Sequence, residues 1–307
     1  MSATSNNAPS PTITIVTPTY NRGSLLPALF DSIRSQAYNS LDWIIIDDGS
    51  TDDTAAIVNQ FQAHAPFNIL YRYQANLGKH VALNNAMPLV KTPWVMVVDS
   101  DDVLIDGALS KLHKIIHKVD GLHDIGVITA VALDDDNRPL IHPMPEDGMI
   151  TDYVTFRGRM KYYGDTINIY RSEILRKYPF PVFEGEKFCP EDIVKQRIAL
   201  SHKTYFTTTP LTRCVYHPGG LSHRWVANMI ASPGTVANYY SEASRHPHEP
   251  WKRRQIHRVL FWTYTLGCKI PLSQRLKMIG PAGWIHILPA SFLRLYYNIN
   301  PGCKPLL

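Results

Sequence analysis

Five apolar runs constrain this chain more than any other feature. They are "TITIVT" (12–17), "DWIIID" (42–47), "NILYRY" (68–73), "WVMVVD" (94–99) and "DIGVITAVAL" (124–133). The first four each precede a stretch with helical spacing. Leu26, Leu29, Phe30 and Ile33 follow the first, "TAAIVNQFQAH" the second, and "HVALNNAMPLV" the third. After the fourth, Leu109, Leu112, Ile115, Ile116 and Val119 share one face of a helix over 108–119. Strands that are apolar on both faces and alternate with helices belong to a parallel sheet covered on both sides. The pattern predicts a doubly wound α/β fold.

Three of these strands end in polar clusters: "TPTYNR" (17–22), "DDGSTDDT" (47–54) and "DSDD" (99–102). In open α/β sheets, ligands bind where strands run out at their carboxyl ends. Carboxylates crowded together repel one another unless a cation offsets them. Hard oxygen donors select Mg²⁺ or Mn²⁺, ions that usually bind through one or two carboxylates plus substrate phosphates. Taken singly, "DDGSTDDT" also fits an Asx turn with Ser50 or Asp52 as helix cap, and "DSDD" a solvated loop. Together, and without a Gly-rich phosphate loop, they point to a nucleotide diphosphate held through a metal.

Beyond about residue 134 the alternation fails, and "DDDNRPLIHPMPEDG" leads into shorter mixed elements. From 250 onward the chain is aromatic and basic and reads as two or three short amphipathic helices. The net charge of +5 conceals an asymmetry: residues 245–307 carry +9, with ten Lys or Arg against Glu249 alone, and the rest carries −4. Trp251, Phe261, Trp262, Tyr264, Trp284, Phe292, Tyr296 and Tyr297 are interleaved with those cations. That combination fits helices lying on an anionic membrane surface, or helices packed back on the domain with basic faces in water. No recognised nucleic-acid module is present. No apolar run reaches the roughly 18 to 20 residues that span a bilayer, and "MSATSNNAPSP" has no signal-peptide pattern, so a cytoplasmic protein is expected. Cys189, Cys214, Cys268 and Cys303 are dispersed, which predicts free thiols and no zinc site.

The ordered motifs "TIVTPTYNR", "IIIDDGSTDDT", "NLGKHVALNNA" (76–86) and "VVDSDD" resemble the family 2 glycosyltransferases, which have the GT-A fold. The likeness covers roughly residues 12–135 and, more loosely, continues to about 225. It implies a disordered leader over 1–11 and a catalytic domain over 12–245. The nucleotide-sugar half would be 12–135 and the acceptor half 136–245, with a C-terminal helical appendage over 246–307. Carried over by position, Pro18 and Tyr20 lie beside the base, and Asp48 hydrogen-bonds the uracil edge. Asp99 and Asp101 match the DxD motif contacting ribose and metal, with Asp101 and Asp102 as candidate metal ligands; members of the family differ in which of the three acids share the ion, so the cluster is assigned as a unit. Lys79 approaches the sugar or the diphosphate. The "ED" pair Glu191–Asp192, placed before a helix, makes Asp192 the catalytic base.

The resemblance thus implies an inverting enzyme that uses a UDP-sugar donor and Mn²⁺ or Mg²⁺. It adds one sugar to a saccharide acceptor, polyprenyl-linked, at the inner face of the cell membrane. His217 and His223, in "YHPGGLSHRW", flank a Gly-Gly loop able to close over the diphosphate. "LSHRW" is similar to the QxxRW motif of processive members, but Leu221 replaces the glutamine, which favours single addition. Asp165 and Arg171 are candidates for the acceptor side. Competing expectations are a nucleotidyltransferase, for which "TPTYNRGS" is a poor phosphate loop, and a non-catalytic nucleotide-sugar-binding protein.

Overall fold

The computed structural model describes residues 12–36, 38, 40–215 and 224–299. The alternating part comprises β1 (Ile13–Thr19), α1 (Leu26–Arg34), β2 (Leu41–Asp47), α2 (Thr54–His64), β3 (Asn68–Tyr73), α3 (Lys79–Ala86) and β4 (Trp94–Val97). It continues through β5 (Asp102–Leu104), α4 (Ala108–Val119) and β6 (Ile125–Leu133). The less regular part contains β7 (Ile141–His142), β8 (Ile150–Thr151), α5 (Tyr153–Gly158), β9 (Tyr163–Gly164), β10 (Thr166–Arg171), α6 (Ser172–Lys177), α7 (Asp192–Ile198) and β11 (Lys203–Cys214). Five helices close the described chain: α8 (Trp225–Ala231), α9 (Pro233–Ala243), α10 (Trp251–Thr265), α11 (Leu272–Ile279) and α12 (Ile287–Ile299).

The main sheet has the order β3-β2-β1-β4-β10-β6-β11-β5, with β8 added on β11. β1, β2, β3 and β4 pair in parallel, and β11 runs parallel to β6. The order reverses at β1, which has β2 on one side and β4 on the other. Their carboxyl ends therefore open a crevice. β10 is inserted antiparallel between β4 and β6. The sequence reading extends the fourth strand to Asp99, but β4 ends at Val97. Val98 still donates to the Val16 carbonyl at 3.0 Å, and "DSDD" then turns, with Asp102 opening β5.

Side-chain alternation explains why the strands are apolar on both faces. Ile13, Ile15, Trp43 and Ile45 pack with α1 and α4 residues in one core. Val16, Ile44, Ile46 and Val95 pack with α3 and α7 residues in another. In the first core the Phe30 ring stacks on Phe61 at 4.3 Å between centroids and lies 6.3 Å from Trp43. Phe30→Ala should leave a cavity that costs about 3–5 kcal/mol. Urea unfolding would read this as a lowered midpoint at unchanged slope, and an unaltered midpoint would contradict the assigned packing.

α8 to α12 share a third core around Phe261, Trp262, Tyr264 and Tyr297. This corrects part of the aromatic-surface expectation, because those four side chains are buried and only Trp251, Trp284, Phe292 and Tyr296 of the eight are exposed. The helical layer includes α8 and α9, which precede residue 246. It is tied to the sheet through Arg197 of α7, whose guanidinium donates to both Glu242 oxygens at 2.8 and 2.9 Å. Glu186 accepts from the N–H groups of Gly234 and Thr235 at the start of α9, at 2.6 and 2.8 Å. No described helix is long and apolar enough to cross a membrane.

Candidate active site

β1 outlasts its β4 neighbour. Pairing with β4 stops at Val16↔Val97 while pairing with β2 continues to Thr19↔Asp47, so the ladder tolerates Pro18 there. The chain then leaves the sheet through exposed Tyr20 into a loop stitched to the end of β2. The Asn21 N–H donates to Ser50 Oγ at 2.8 Å, Thr51 N–H to Asn21 Oδ1 at 2.7 Å, and Gly23 N–H to Asp52 Oδ2 at 2.9 Å. Ser50 and Asp52 thus brace the neighbouring loop. Asp52 also accepts from the Thr54 N–H, while the N-cap position of α2 belongs to Asp53.

Asp47 and Asp48 are buried side by side with different partners. Asp47 accepts from the Ser50 N–H at 2.7 Å and the Tyr71 hydroxyl at 2.6 Å. Asp48 receives Gln74 Nε2 and the Leu77 N–H on Oδ1, and the Gly78 N–H on Oδ2, each at 2.8 Å. One acceptor position on Oδ2 is left, since a carboxylate offers about four. Gly78 caps α3 at φ +101°, and a Cβ there would come 2.2 Å from the Lys187 carbonyl oxygen. Only glycine lets the "NLGK" loop meet Asp48 and the 187 segment together.

From α3, Lys79 Nζ bridges two carboxylates. It lies 2.6 Å from Asp99 Oδ1 and 2.6 Å from Glu191 Oε1. Burial works against its charge, but Asp99 and Glu191 outweigh burial and hold the ammonium protonated well above its ordinary range. Arg22 pairs with Asp101 at 2.7 Å. Asp102 accepts from the Cys214 thiol at 3.5 Å, and burial, followed by the charges of Asp99 and Asp101, pushes it up to about 8. A carboxyl forced toward protonation by two others is a donor set that a hard divalent cation fits. No three carboxylate, imidazole or thiol groups among the described residues make a closed ligand set, so an ion there would need substrate oxygens too.

Asp192 is the first residue of α7, next to Pro190 and Glu191. Burial favours its neutral form. Lys195, 2.7 Å away one turn on, the Arg157 guanidinium and a hydrogen bond from Tyr153 outweigh burial and hold the carboxylate well below the usual range. Lys195 Nζ also lies 4.6 Å from the Tyr153 ring centroid.

One cavity of about 760 Å³ is lined by Pro18, Tyr20, Asp48, Lys79, Asp99, Asp101, Asp102 and Asp192. These eight sequence-predicted residues therefore meet in a space of the size that holds a small-molecule ligand. Arg22, Tyr153, Arg157 and Lys195 line it as well and were not assigned from sequence. Their signals were faint: Arg22 ends "TPTYNR", Lys195 stands at i+3 from Asp192, and Tyr153 and Arg157 follow the Asp152 cap of α5. Asp165 lines the cavity, but Arg171 does not. Its guanidinium donates to the Ile125 and Val119 carbonyls at 2.8 and 3.1 Å and lies over the Trp94 ring, so it braces the sheet. His217, Leu221 and His223 lie outside the described residues, as do the leader 1–11 and Cys303. Cys189, Cys214 and Cys268 are free thiols.

Residues 14–179, more than half of the chain, match the family described as Glycosyl transferase family 2. The chain belongs to that family. An uncharacterized glycosyltransferase of Nostoc sp. is 27% identical over 192 residues, 61% of this chain and 56% of the relative. The curated relatives first in similarity are spanned over only 14% to 56% of their own lengths. S. aureus TarS 1-349 in complex with UDP-GlcNAc superposes with a TM-score of 0.59 at 16% identity, over 95% of this chain and 88% of that one. The mannosyltransferase PcManGT from Pyrobaculum calidifontis, in complex with GDP-Man and Mn²⁺, gives 0.55 at 20% identity, over 96% and 82%. At these identities the two structures attest the fold, a GT-A-like mixed sheet with helices.

Proposed function

We propose that this family 2 glycosyltransferase is an inverting, metal-dependent enzyme that moves one sugar from a UDP-sugar to a hydroxyl of a saccharide acceptor. The observation that carries the reading is the meeting of the "DSDD" carboxylates and Asp192 in one cavity. Pro18 and Tyr20 flank the base, and the remaining acceptor position on Asp48 takes a uracil N–H. Asp99 contacts the ribose, while Asp101 and Asp102 are the residues that would hold Mn²⁺ or Mg²⁺. Bound there, the ion supplies positive charge where the departing diphosphate becomes more negative. Lys79 and Arg22, which pair with Asp99 and Asp101 and line the same cavity, are the cations available to the diphosphate in this reading.

Asp192 receives the acceptor proton. The hydroxyl oxygen forms a bond to the anomeric carbon from the face opposite the phosphate oxygen, whose bond breaks with its electron pair. A single displacement inverts the centre, and no covalent intermediate is needed. Because its neighbours hold Asp192 ionised, it is a weak base that acts once bond formation has made the hydroxyl acidic. Nothing in the cavity requires the nucleotidyltransferase alternative, which would release pyrophosphate in place of UDP. The acceptor in this reading is a polyprenyl-linked saccharide at the inner face of the cell membrane, as in polysaccharide assembly. That part is supported by the basic, aromatic C-terminal helices.

A thermal-shift panel of nucleotide sugars, with and without Mn²⁺, tests the donor side. UDP and one UDP-sugar are expected to raise the midpoint, and chelator to abolish the rise, since a ligand binding only the folded state stabilises it. No response to any uridine nucleotide would sink the donor assignment. An equal response in chelator would sink the metal role.

A further inference from the structure

The third core leaves one apolar surface uncovered. α12 is apolar on two sides. Its inner side buries Ala290 and Tyr297 in the core that also holds α10. On its outer side Leu288, Phe292 and Leu295 are 73%, 76% and 58% exposed. Spacings of four and three residues place these three on one stripe. The turn preceding α12 continues the stripe with Trp284 and with Ile285, which is 79% exposed. Contiguous exposed apolar patches mark interaction surfaces.

Charge identifies the occupant. From residue 250 to the end the sequence has nine Lys or Arg and no Asp or Glu. Lys269 and Lys277 are exposed in the described part of this segment. A second copy docked stripe to stripe would set cation against cation with no acid from this segment to offset them. An anionic bilayer surface meets both the apolar stripe and the cations. α12 has 13 residues, so at 1.5 Å per residue it is about 20 Å long, too short to cross a hydrocarbon core of about 30 Å. Its length suits lying in the interface, and exposed Trp284 is of the residue type that favours headgroup depth.

We infer that the outer stripe of α12 and its preceding turn dock the enzyme on an anionic lipid bilayer, with Leu288, Phe292 and Leu295 inserted. The helical layer is tied to the cavity wall through Glu186 and Arg197, so docking also fixes the direction in which the cavity faces. The biological purpose of the docking rests on the lipid-linked acceptor proposed above, but its physics does not.

The test is flotation of the full chain with vesicles of phosphatidylcholine alone or containing 30% phosphatidylglycerol, a composition chosen to be anionic (~30%). Binding to the anionic vesicles and its weakening by salt are expected. Leu288→Gln, Phe292→Gln and Leu295→Gln together should reduce partitioning on the order of 10²-fold at unchanged circular dichroism and melting temperature. Lys269→Gln with Lys277→Gln should reduce binding to anionic vesicles by roughly tenfold and leave binding to neutral ones as it was. Flotation of the triple variant like the parent overturns the inference. So does a parent that never floats but dimerises, if the triple substitution makes it monomeric. UDP release onto a soluble acceptor, measured on the same variants, separates the two proposals. Lost flotation with retained transfer supports docking alone, whereas retained flotation without transfer in the parent counts only against the proposed function.

Discussion

Asp192→Asn is expected to lower turnover about 10²- to 10⁴-fold, the usual contribution of a positioned general base. The amide keeps the shape but cannot accept the acceptor proton. Donor affinity should hardly change, because Asp48, Lys79 and the "DSDD" carboxylates are untouched. The substitution also leaves Lys195 and Arg157 without the anion they share, so the melting temperature should fall while the fold persists. UDP release with and without acceptor, beside donor titration by thermal shift, separates these effects. Turnover within tenfold of the parent would remove Asp192 from the role of base.

The second large effect concerns pH. Lys195, Arg157 and Tyr153 hold the Asp192 pKa below its unfolded value. Its contribution to stability is therefore present above the unfolded carboxylate pKa and lost as pH falls through the lower folded one. For activity, the parent should show no acid limb from this group across the ordinary working range. Lys195→Met removes the largest opposing charge and leaves burial less opposed, so the pKa rises. Arg157 and Tyr153 limit that rise, while Tyr170 and Tyr239, whose own hydroxyls are held neutral beside this carboxylate, complete its surroundings. An acid limb should then enter the profile of kcat/KM, with about tenfold less activity per pH unit below the new pKa. A profile that is scaled down but unchanged in shape would show that Lys195 serves structure alone.

Legibility in the sequence followed local periodicity. α2 and α4 occupy the residues that helical spacing predicts, 54–64 and 108–119, because each buries a single apolar stripe. β1, β2 and β6 were visible almost to their ends because both faces are buried, and the edge strand β3 was visible through its apolar Ile69 and Leu70 although half of it is exposed. The less regular part of the chain hid its strands. β7, β8 and β9 have two residues each, too few for a period, and β10 is set between its neighbours by long-range pairing alone.

The site divided in the same way. Its carboxylates stand at strand ends and at a helix start, where position itself carries meaning. Their cations arrive from elsewhere: Arg22 reaches Asp101, and Arg157 reaches Asp192, across stretches that no local pattern connects. In the tail, the helices were readable, but which aromatics turn inward was not. Phe261 and Trp262 occupy the core, and Leu288 and Phe292 face out, because α9 and α10 dictate the covered side.

The antiparallel placement of β10 has a consequence for how such an enzyme can be divided. The strand joining β4 to β6 comes from residues 166–171, well past the polar strand ends at 17–22, 47–54 and 99–102. A fragment ending near 135 would present two bare strand edges in its middle, which invites intermolecular pairing. The proposed acceptor half thus supplies the seam of the proposed nucleotide-sugar half. Exchange of acceptor modules between relatives would have to carry this strand across or keep its register.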